Sequence, residues 1–264
     1  MPKRKQGVSH LFIPDTQVKP GVPLDHLKAL GNYIVDQKPD VIIHIGDHWD
    51  MPSLNSYEKK HSAYFHDKTY KEDIEAGIEG MDYLLGPLRK MQARSKRNKK
   101  KGYNPRLVFT VGNHEYRIAR AIHEDPRLKG TIGFQDLKLE EMGWEVYPFL
   151  HIAEIDGILY SHYFVNPDSL KKNPVGGTIE NKLRITGHSF SQGHQQTFQF
   201  GTRHDGLGRP KMGLTWGTFY MHDEDYLGPQ GNARVDGVMI KHEVKDGAYL
   251  PMAVSMKYLL ENWL

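Results

Sequence analysis

The stretch VIIHIGDHWD at residues 41–50 decides how this chain folds. Its first five residues are almost continuously aliphatic, which is typical of a strand buried on both faces of a sheet. A glycine and two carboxylates, Asp47 and Asp50, follow at once. The stretch therefore predicts a central strand with polar side chains at its carboxyl end, where layered α/β folds bind ligands. Taken alone, a Gly-Asp pair is also ordinary turn chemistry.

The same arrangement of an apolar run and a polar motif recurs along the chain. The motifs PDTQ (14–17), GNHE (112–115) and YSHY (160–163) each come where an aliphatic strand is expected to end, and GHQQ (193–196) closes the series less cleanly. A turn does not need the histidine of GNHE. Carboxylates, an amide and imidazoles gathered at strand ends predict a metal site.

Helices are predicted between these strands. Apolar residues recur at helical spacing over residues 23–37 and 72–96, and a shorter helix is expected over 116–124. Strands that alternate with helices indicate a mostly parallel sheet in the first half. In the second half, Asp-Gly pairs at 156–157, 236–237 and 246–247 favour antiparallel strands to the end. We expect an α/β fold in a single domain, 1–264, with two mixed sheets packed face to face and flanking helices.

Composition narrows the class of protein. The chain has 264 residues, 38% hydrophobic and 25% charged, which are globular values and enough for a sizeable core. The absence of cysteine excludes disulfides and thiolate zinc sites. No apolar run approaches the roughly 20 residues that a membrane span needs, and the first residues lack the apolar core of a signal peptide. We therefore expect a soluble cytoplasmic protein without membrane contact.

Basic residues are concentrated in one segment. Residues 89–106 contain nine Lys or Arg and no acid, which leaves 26 basic residues against 32 acidic ones elsewhere. We expect this segment to be a surface helix end and loop. It would either attract a polyanion or simply be solvated. Tyr103 is its only aromatic residue, so base stacking there has little support.

In order and context, the motifs resemble those of the calcineurin-like metallophosphoesterase superfamily. That pattern runs D-x-H, G-D-x-x-D, G-N-H-[D/E], a strand-end His, and G-H-x-H. Motifs two and three match completely here, and the resemblance extends from about residue 8 to residue 200. GWEVYPF (143–149) and SHYF (161–164) are similar to stretches in bacterial and phage members. The resemblance implies a four-layer αββα sandwich and hydrolysis of phosphate esters.

The resemblance also implies a role for each matching residue. Asp47 would bridge two metal ions. The first ion would be held by Asp15, Gln17 and Gln196, and the second by Asn113, His162 and His194. A hydroxide shared by the ions would attack phosphorus.

An acid and its partner belong to the same implied mechanism. His114 would donate a proton or a hydrogen bond to the leaving-group oxygen. Asp50 would bind the other ring nitrogen of His114, fix its tautomer and favour the protonated form.

Two departures from the family pattern bear on the metal. Gln17 and Gln196 stand where the family more often has histidine, and both belong to the first ion. Oxygen ligands favour harder ions, so we expect two divalent ions with Mn²⁺ as the best fit and Mg²⁺, Fe²⁺/Fe³⁺ or Zn²⁺ as alternatives. A second Gly-His pair ends at His188, but residues 189–192 suit a strand preceding the motif, which favours His194.

Further residues are candidates for contact with the substrate. Arg117 could grip a phosphate with two hydrogen bonds, although a solvated helix position is the alternative. His48, inside GDHWD, would have a role at the rim at most. Aromatic residues of the loop after GDHWD would either wall a pocket or pack the loop onto the body: Trp49, Tyr57, Tyr64 and Phe65.

Three functions remain open at this point. The first is a phosphoesterase acting on DNA, RNA or nucleotides, which the basic segment and the phage-like resemblance favour; a phage protein would act in the cytoplasm of its host. The second is a non-catalytic binding or scaffold protein with a weakened first metal site, which only the two glutamines support. The third is a single-metal protein unrelated to phosphate. The sequence indicates no protein partner.

Overall fold

The computed structural model describes residues 7–55, 68–169, 173–223 and 232–264. In these ranges the strands are β1 (Val8–Ile13), β2 (Val41–His44), β3 (Arg106–Thr110), β4 (Glu145–Tyr147), β5 (Ala153–Ile155), β6 (Ile158–Tyr160), β7 (Ser189–Gln192), β8 (Phe198–His204), β9 (Pro210–Trp216), β10 (Gly237–Lys245) and β11 (Ala248–Ser255). The helices are α1 (Asp25–Gln37), α2 (Tyr70–Arg97), α3 (Arg117–Glu124), α4 (Ile179–Thr186) and α5 (Met256–Trp263). Among these described helices, even α2 lacks the apolar length needed to cross a bilayer.

The strands form two mixed sheets. The first has the order β11-β10-β1-β2-β3-β4, and the second has the order β5-β6-β7-β9-β8. Strands β1 to β4 pair in parallel, and β10 and β11 join β1 in antiparallel fashion. In the second sheet, β6, β7 and β9 are parallel, with antiparallel strands at both edges. The parallel strands of each sheet therefore present several carboxyl ends at one edge.

Alternation of side chains in the central strands builds the layers. In β1, Leu11 and Ile13 join the core that the first sheet shares with the helices, whereas Phe12 points to the second sheet. The same division separates Phe109 from Val108 in β3. Successive side chains of a strand face opposite sides, so both faces are covered. The fold is therefore an α/β sandwich of two sheets between helices.

Each outer layer is fixed by its own apolar contacts. On the first sheet, α1 and α2 pack together, and Leu30 and Leu84 are both fully buried in their shared core. On the second sheet, Ile179 and Leu183 of α4 pack on Phe190 of β7. Helices thus cover the outer face of both sheets, as the sequence predicted.

The second half of the chain differs from the sequence expectation in three ways. It is not antiparallel throughout, because α4 forms a crossover that lets β6 and β7 pair in parallel. The pair at 236–237 is not a turn between strands; β10 begins at Gly237. The chain ends in a helix rather than a strand, where Ser255 caps α5 by accepting from the Tyr258 N–H and Leu259 is buried.

The loop after GDHWD is only partly described. Tyr57, Tyr64 and Phe65 lie outside the described residues. Trp49 is fully buried, and its indole Nε1 donates to the Ile74 carbonyl at 3.3 Å. Trp49 therefore packs the loop onto α2 and does not wall a pocket.

The basic segment lies at the amino edge of the first sheet. It covers the exposed end of α2, which finishes at Arg97, and the loop to β3, which starts at Arg106. Five strand residues span about 16 Å at roughly 3.3 Å each. The segment is therefore separated by the length of β3 from the motif GNHE at the carboxyl edge.

The contact between α2 and Trp49 gives a test of the packing. A Cβ on Gly77 would lie 1.9 Å from Trp49 Nε1, so this position leaves no room for a methyl group. Glycine-to-alanine changes in open helix positions stabilise by about 1 kcal/mol. We expect Gly77→Ala to reverse that sign and lower the free energy of unfolding by about 1–3 kcal/mol.

The matched control is Glu79→Ala, at an exposed position of the same helix. It should change the free energy of unfolding by less than about 0.5 kcal/mol. Urea unfolding followed by tryptophan fluorescence measures both. A Gly77→Ala protein at least as stable as the wild type would contradict the packing described.

Candidate metal centre

The polar motifs meet at one rim of the sandwich. Asp15, Asp47 and Asn113 follow the parallel strands β1, β2 and β3, and His162 and His194 follow β6 and β7. The two sheets are tied together there, because His162 Nδ1 lies 2.9 Å from the Ile45 carbonyl. The Gly193 N–H donates to the His162 carbonyl at 3.0 Å.

Four side chains form a tight cluster of metal-ligand atoms. Asn113 Oδ1 lies 2.8 Å from His162 Nε2 and 2.7 Å from His194 Nδ1. Asp47 Oδ2 lies 3.1 Å from His162 Nε2. Ligand atoms of Asp47, His162 and His194 all lie within 4.8 Å of one another. Metal–ligand bonds of about 2.1 Å place neighbouring donors roughly 3.0–3.4 Å apart, which is close to the spacing found here.

Hydrogen-bond accounting shows that this cluster fits a cation. Because His162 Nδ1 donates to Ile45, Nε2 of the neutral ring carries a lone pair. That lone pair faces Asn113 Oδ1 and Asp47 Oδ2, which are acceptors as well. Either a proton or a metal ion must lie among them. Burial opposes protonation, but the carboxylates of Asp47 and Asp15 raise the pKa of His162 to about 9.

The residues expected at the first ion are arranged less tightly. Asp15 is fully buried and accepts from the His194 N–H at 3.0 Å and 3.2 Å. The Gln17 N–H donates to the Asp47 carbonyl at 2.9 Å, and Gln196 lies partly buried two residues beyond His194. Among the described residues, neither glutamine side chain hydrogen bonds to Asp15 or Asp47. Asp15 is thus tied to the cluster by a backbone contact.

Two glycines make room for the carboxylates. A Cβ on Gly112 would lie 2.1 Å from Asp47 Oδ1, and a Cβ on Gly193 would lie 2.1 Å from Asp15 Oδ1. The residues after these glycines, Asn113 and His194, supply ligand atoms. The glycines of GNHE and GHQQ therefore allow carboxylate and ligand to approach each other.

The backbone is strained at the same rim. Positive φ angles of 39°, 48° and 61° occur at Gln17, Asp47 and His194. Residues other than glycine rarely adopt this region, and such strain clusters at functional sites. The surrounding structure thus keeps these three residues in a backbone conformation that they would not prefer by themselves, and this conformation directs their side chains to the rim.

Glu115 holds the two central loops together, a role that the sequence analysis did not assign. Its Oε2 accepts from the N–H groups of Asp47 and Gly112 at 3.0 Å and 2.9 Å. Its Oε1 accepts from those of His48 and Trp49 at 2.6 Å and 3.0 Å. Burial and the nearby Asp47 raise the pKa of Glu115 to about 7. The sequence signal that could have identified this role is the acidic residue at the end of the motif GNHE.

His114 and Asp50 form a pair beside the cluster. His114 Nδ1 lies 2.8 Å from Asp50 Oδ1 and 2.9 Å from the Asp50 carbonyl, so it donates to Asp50. Its Nε2 lies 3.7 Å from Asp47 Oδ2. Burial opposes the charged form of His114, but Asp47 raises its pKa. Burial likewise opposes the charge on Asp50, but the hydrogen bond from His114 lowers that pKa to about 2.

Arg117 is buried against these residues rather than solvated. Its Nη1 donates to the carbonyls of Asp50 and Met51 at 2.7 Å and 3.1 Å. Its Nη2 lies 3.3 Å from His114 Nε2. The alternative of a solvated helix position is therefore wrong. The guanidinium lies beside the His114 ring.

His48 requires a correction. It is fully buried, and its two ring nitrogens lie 2.7 Å from Thr16 Oγ1 and 2.9 Å from the Gly77 carbonyl. Burial lowers its pKa to about 4, so the ring is neutral. A position at the rim with access to substrate is wrong, because both nitrogens bind inside the core. His48 therefore anchors the loop after β2 to the interior of the protein.

The structure also separates the two candidate histidines of the last motif. β7 spans Ser189–Gln192, as expected, and leads directly to His194 in the cluster. His188 precedes this strand and is exposed. It therefore lies at the opposite end of β7 from the cluster.

The chain is similar to two phage proteins. No family model matches it. It is 25% identical over 199 residues to the Gene 54 protein of Mycobacterium phage D29, and 26% identical over the same length to that of Mycobacterium phage L5. Each match covers 73% of this chain but only 65% of the relative. The names of these two phage proteins state no activity.

Metal binding is tested by comparing the two histidines. Mn²⁺ should raise the melting temperature of the wild type, since a ligand at 100 times its Kd stabilises by about 2.7 kcal/mol. We expect His194→Ala to lose most of this shift and His188→Ala to keep it. Differential scanning fluorimetry with and without EDTA, together with elemental analysis, measures the effect. Loss in His188→Ala alone would contradict the site.

The role of Glu115 is tested by removing one acceptor atom. In Glu115→Gln, an amide NH₂ would face two N–H donors, and each unpaired buried group costs about 1–3 kcal/mol. We expect the free energy of unfolding to fall by about 2–4 kcal/mol in EDTA, measured by urea titration. Glu124→Gln, at an exposed side chain 4.0 Å from that of Arg120, should change it by less than about 0.5 kcal/mol. Equal losses of stability in the two variants would contradict the role of Glu115 as a clamp, that is, as the acceptor that holds the loops after β2 and β3 together.

Proposed function

We propose that this protein is a metal-dependent phosphoesterase with a metallophosphoesterase-type αββα fold, which hydrolyses phosphate esters, with nucleotides, DNA or RNA as substrates. One observation carries the proposal. A cluster of Asp47, Asn113, His162 and His194 lies at the rim directly beside the His114–Asp50 pair. A protein that only stored a metal would have no need of that pair.

The chemistry of the donors indicates the metal. The cluster offers two imidazoles, an amide and a carboxylate, and Asp15 adds a second carboxylate next to it. Bound there, divalent cations would lower the pKa of a bound water and neutralise charge on the phosphate oxygens. We propose two ions with Mn²⁺ preferred, because the residues assigned to the first ion, Asp15, Gln17 and Gln196 with the bridging Asp47, offer only oxygen donors.

His114 is the proposed proton donor. Its Nδ1 binds Asp50, which leaves Nε2 directed at the rim. Asp47 lies 3.7 Å from Nε2, beyond hydrogen-bond distance, and the closer Arg117 Nη2 is a donor. Because a guanidinium only donates, Nε2 of the neutral ring accepts from Arg117; once protonated, Nε2 gives up that contact and can donate to the leaving-group oxygen. Asp50 keeps the ring oriented and favours its cationic form.

One observation favours the alternative of a non-catalytic binding protein. Among the described acids and histidines, the ligand atoms within 4.8 Å of one another belong to Asp47, His162 and His194 and not to Asp15, as a weakened first site would predict. The second site and the His114–Asp50 pair support catalysis instead. An activity test separates the two.

The test uses bis(p-nitrophenyl) phosphate with Mn²⁺, Mg²⁺, Fe²⁺ or Zn²⁺. We expect turnover by the wild type, and a fall in kcat of about 10²- to 10⁴-fold in His114→Ala with the bound metal retained. Asp47→Asn should lose both metal and activity, and His188→Ala should match the wild type. A metal-loaded wild type without turnover on any phosphate ester would support the binding protein.

A further inference from the structure

An apolar cavity of about 650 Å³ lies next to the metal centre on the same edge of the first sheet. The first three parallel strands, β1 to β3, lead into the metal centre. Val111, which follows β3, and Pro148, which follows the neighbouring β4, line the cavity. The cavity is therefore the next position along the row of strand ends, and its volume suits a small organic ligand.

A row of aromatic rings joins this cavity to the metal centre. Tyr163 lies 4.7 Å from the ring of His194, and Phe149 lies 5.6 Å from Tyr163 in an edge-on arrangement. Tyr116 stacks on Phe149 with ring centroids 4.5 Å apart. Tyr116 and Phe149 both line the cavity. A ligand could thus bind a phosphate at the metal ions and place its remainder against aromatic faces.

Two aromatic rings of the cavity are open to solvent. Tyr116 is 43% exposed and Phe134 is 40% exposed. Tyr116 directly precedes α3, and Phe134 follows it in the chain. Large exposed rings beside an apolar cavity offer stacking faces, and stacking on an aromatic side chain contributes about 1–3 kcal/mol per nucleobase. These faces are sequence-tolerant, because every base has a π-face.

The polar lining indicates which part of a nucleotide fits. The polar residues that line the cavity are Gln135, Lys138, Glu140, Glu141 and His151. The two carboxylates outnumber the one ammonium, that of Lys138, so the lining disfavours the charged phosphate of the ligand. Carboxylates accept hydrogen bonds from exocyclic amino groups of bases. A flat, uncharged ring with an amino group matches this lining.

We propose that the cavity binds the nucleobase of a nucleotide substrate whose phosphate lies at the metal centre; the inference rests on the proposed function. Tyr116 and Phe134 provide the stacking faces. Glu140 or Glu141 accepts from the amino group of adenine, cytosine or guanine. The substrate is then recognised by its base, next to the reacting phosphate, rather than by the distant basic segment.

The test compares adenosine 5′-monophosphate with ribose 5-phosphate, which lacks only the base. Titration calorimetry on the Mn²⁺-loaded protein should give a Kd at least about 10-fold lower for the nucleotide. Phe134→Ala and Tyr116→Ala should bring the two dissociation constants within about 3-fold of each other. Tyr116→Phe keeps the ring and should keep the preference. Leu207→Ala removes a side chain 77% exposed on another turn and should have no effect.

The outcomes separate this inference from the proposed function. Equal dissociation constants for the two ligands, with bis(p-nitrophenyl) phosphate still hydrolysed, would overturn the base site and leave the phosphoesterase intact. A base preference that depends on both rings, without hydrolysis of any ester, would support the base site and overturn the enzyme. A base preference unchanged in Phe134→Ala and Tyr116→Ala would also overturn the inference.

Discussion

The carboxylate of Glu115 is the interaction on which the rest of the rim depends. It accepts four backbone N–H groups from the loops after β2 and β3, and all four lie in the buried interior. Without it, those groups would be buried and unpaired, which costs more than a typical hydrogen bond gains. It also fixes Asp47 at a positive φ of 48°, a conformation that the chain would not hold by itself. A purely structural residue thereby sets the position of the proposed bridging ligand.

Charge balance connects this clamp to the metal. Asp15, Asp47 and Glu115 are all buried, and burial with mutual repulsion raises the pKa of Asp15 well above its ordinary value. Two histidines, His114 and His162, lie beside these carboxylates, and Asp47 raises the pKa of both against the effect of burial. A divalent ion bound by the cluster would take the place of a proton on His162, whereas His114 lies outside the cluster and is held by Asp50. The same carboxylates would thus favour a cation in the cluster and the charged form of His114 beside it, because the two imidazoles differ in their second partner.

The sequence predicted the positions of the rim residues better than their surroundings. Apolar runs that end in polar motifs located β1, β2 and β3 within a residue or two, and a strand at 189–192 chose His194 over His188. The direction of side chains within the loops could not be predicted, because those loops follow no period. His48 and Trp49 turn inward, and Glu115 becomes the clamp, only through contacts distant in the sequence. Likewise, parallel pairing in the second sheet depends on the crossover through α4, which local turn signals do not encode.

The positions of the basic segment and of the aromatic residues determine how a substrate would be recognised. A polyanion bound by the basic segment would lie at the amino edge of the first sheet, about a strand length of roughly 16 Å from the metal centre. If the basic segment neutralised many phosphates, the affinity for the polyanion would fall steeply with salt concentration. Such binding would bring no phosphate to the metal centre. At the carboxyl edge, by contrast, Tyr163, Phe149 and Tyr116 extend directly from His194. Stacking is weakly sensitive to salt, so under the proposed function one phosphate at the metal ions and one base in the cavity would suffice to position a substrate. Recognition of a short single-stranded or mononucleotide ligand follows more directly from this arrangement than recognition of a duplex, whose bases are stacked within the helix and cannot enter the cavity.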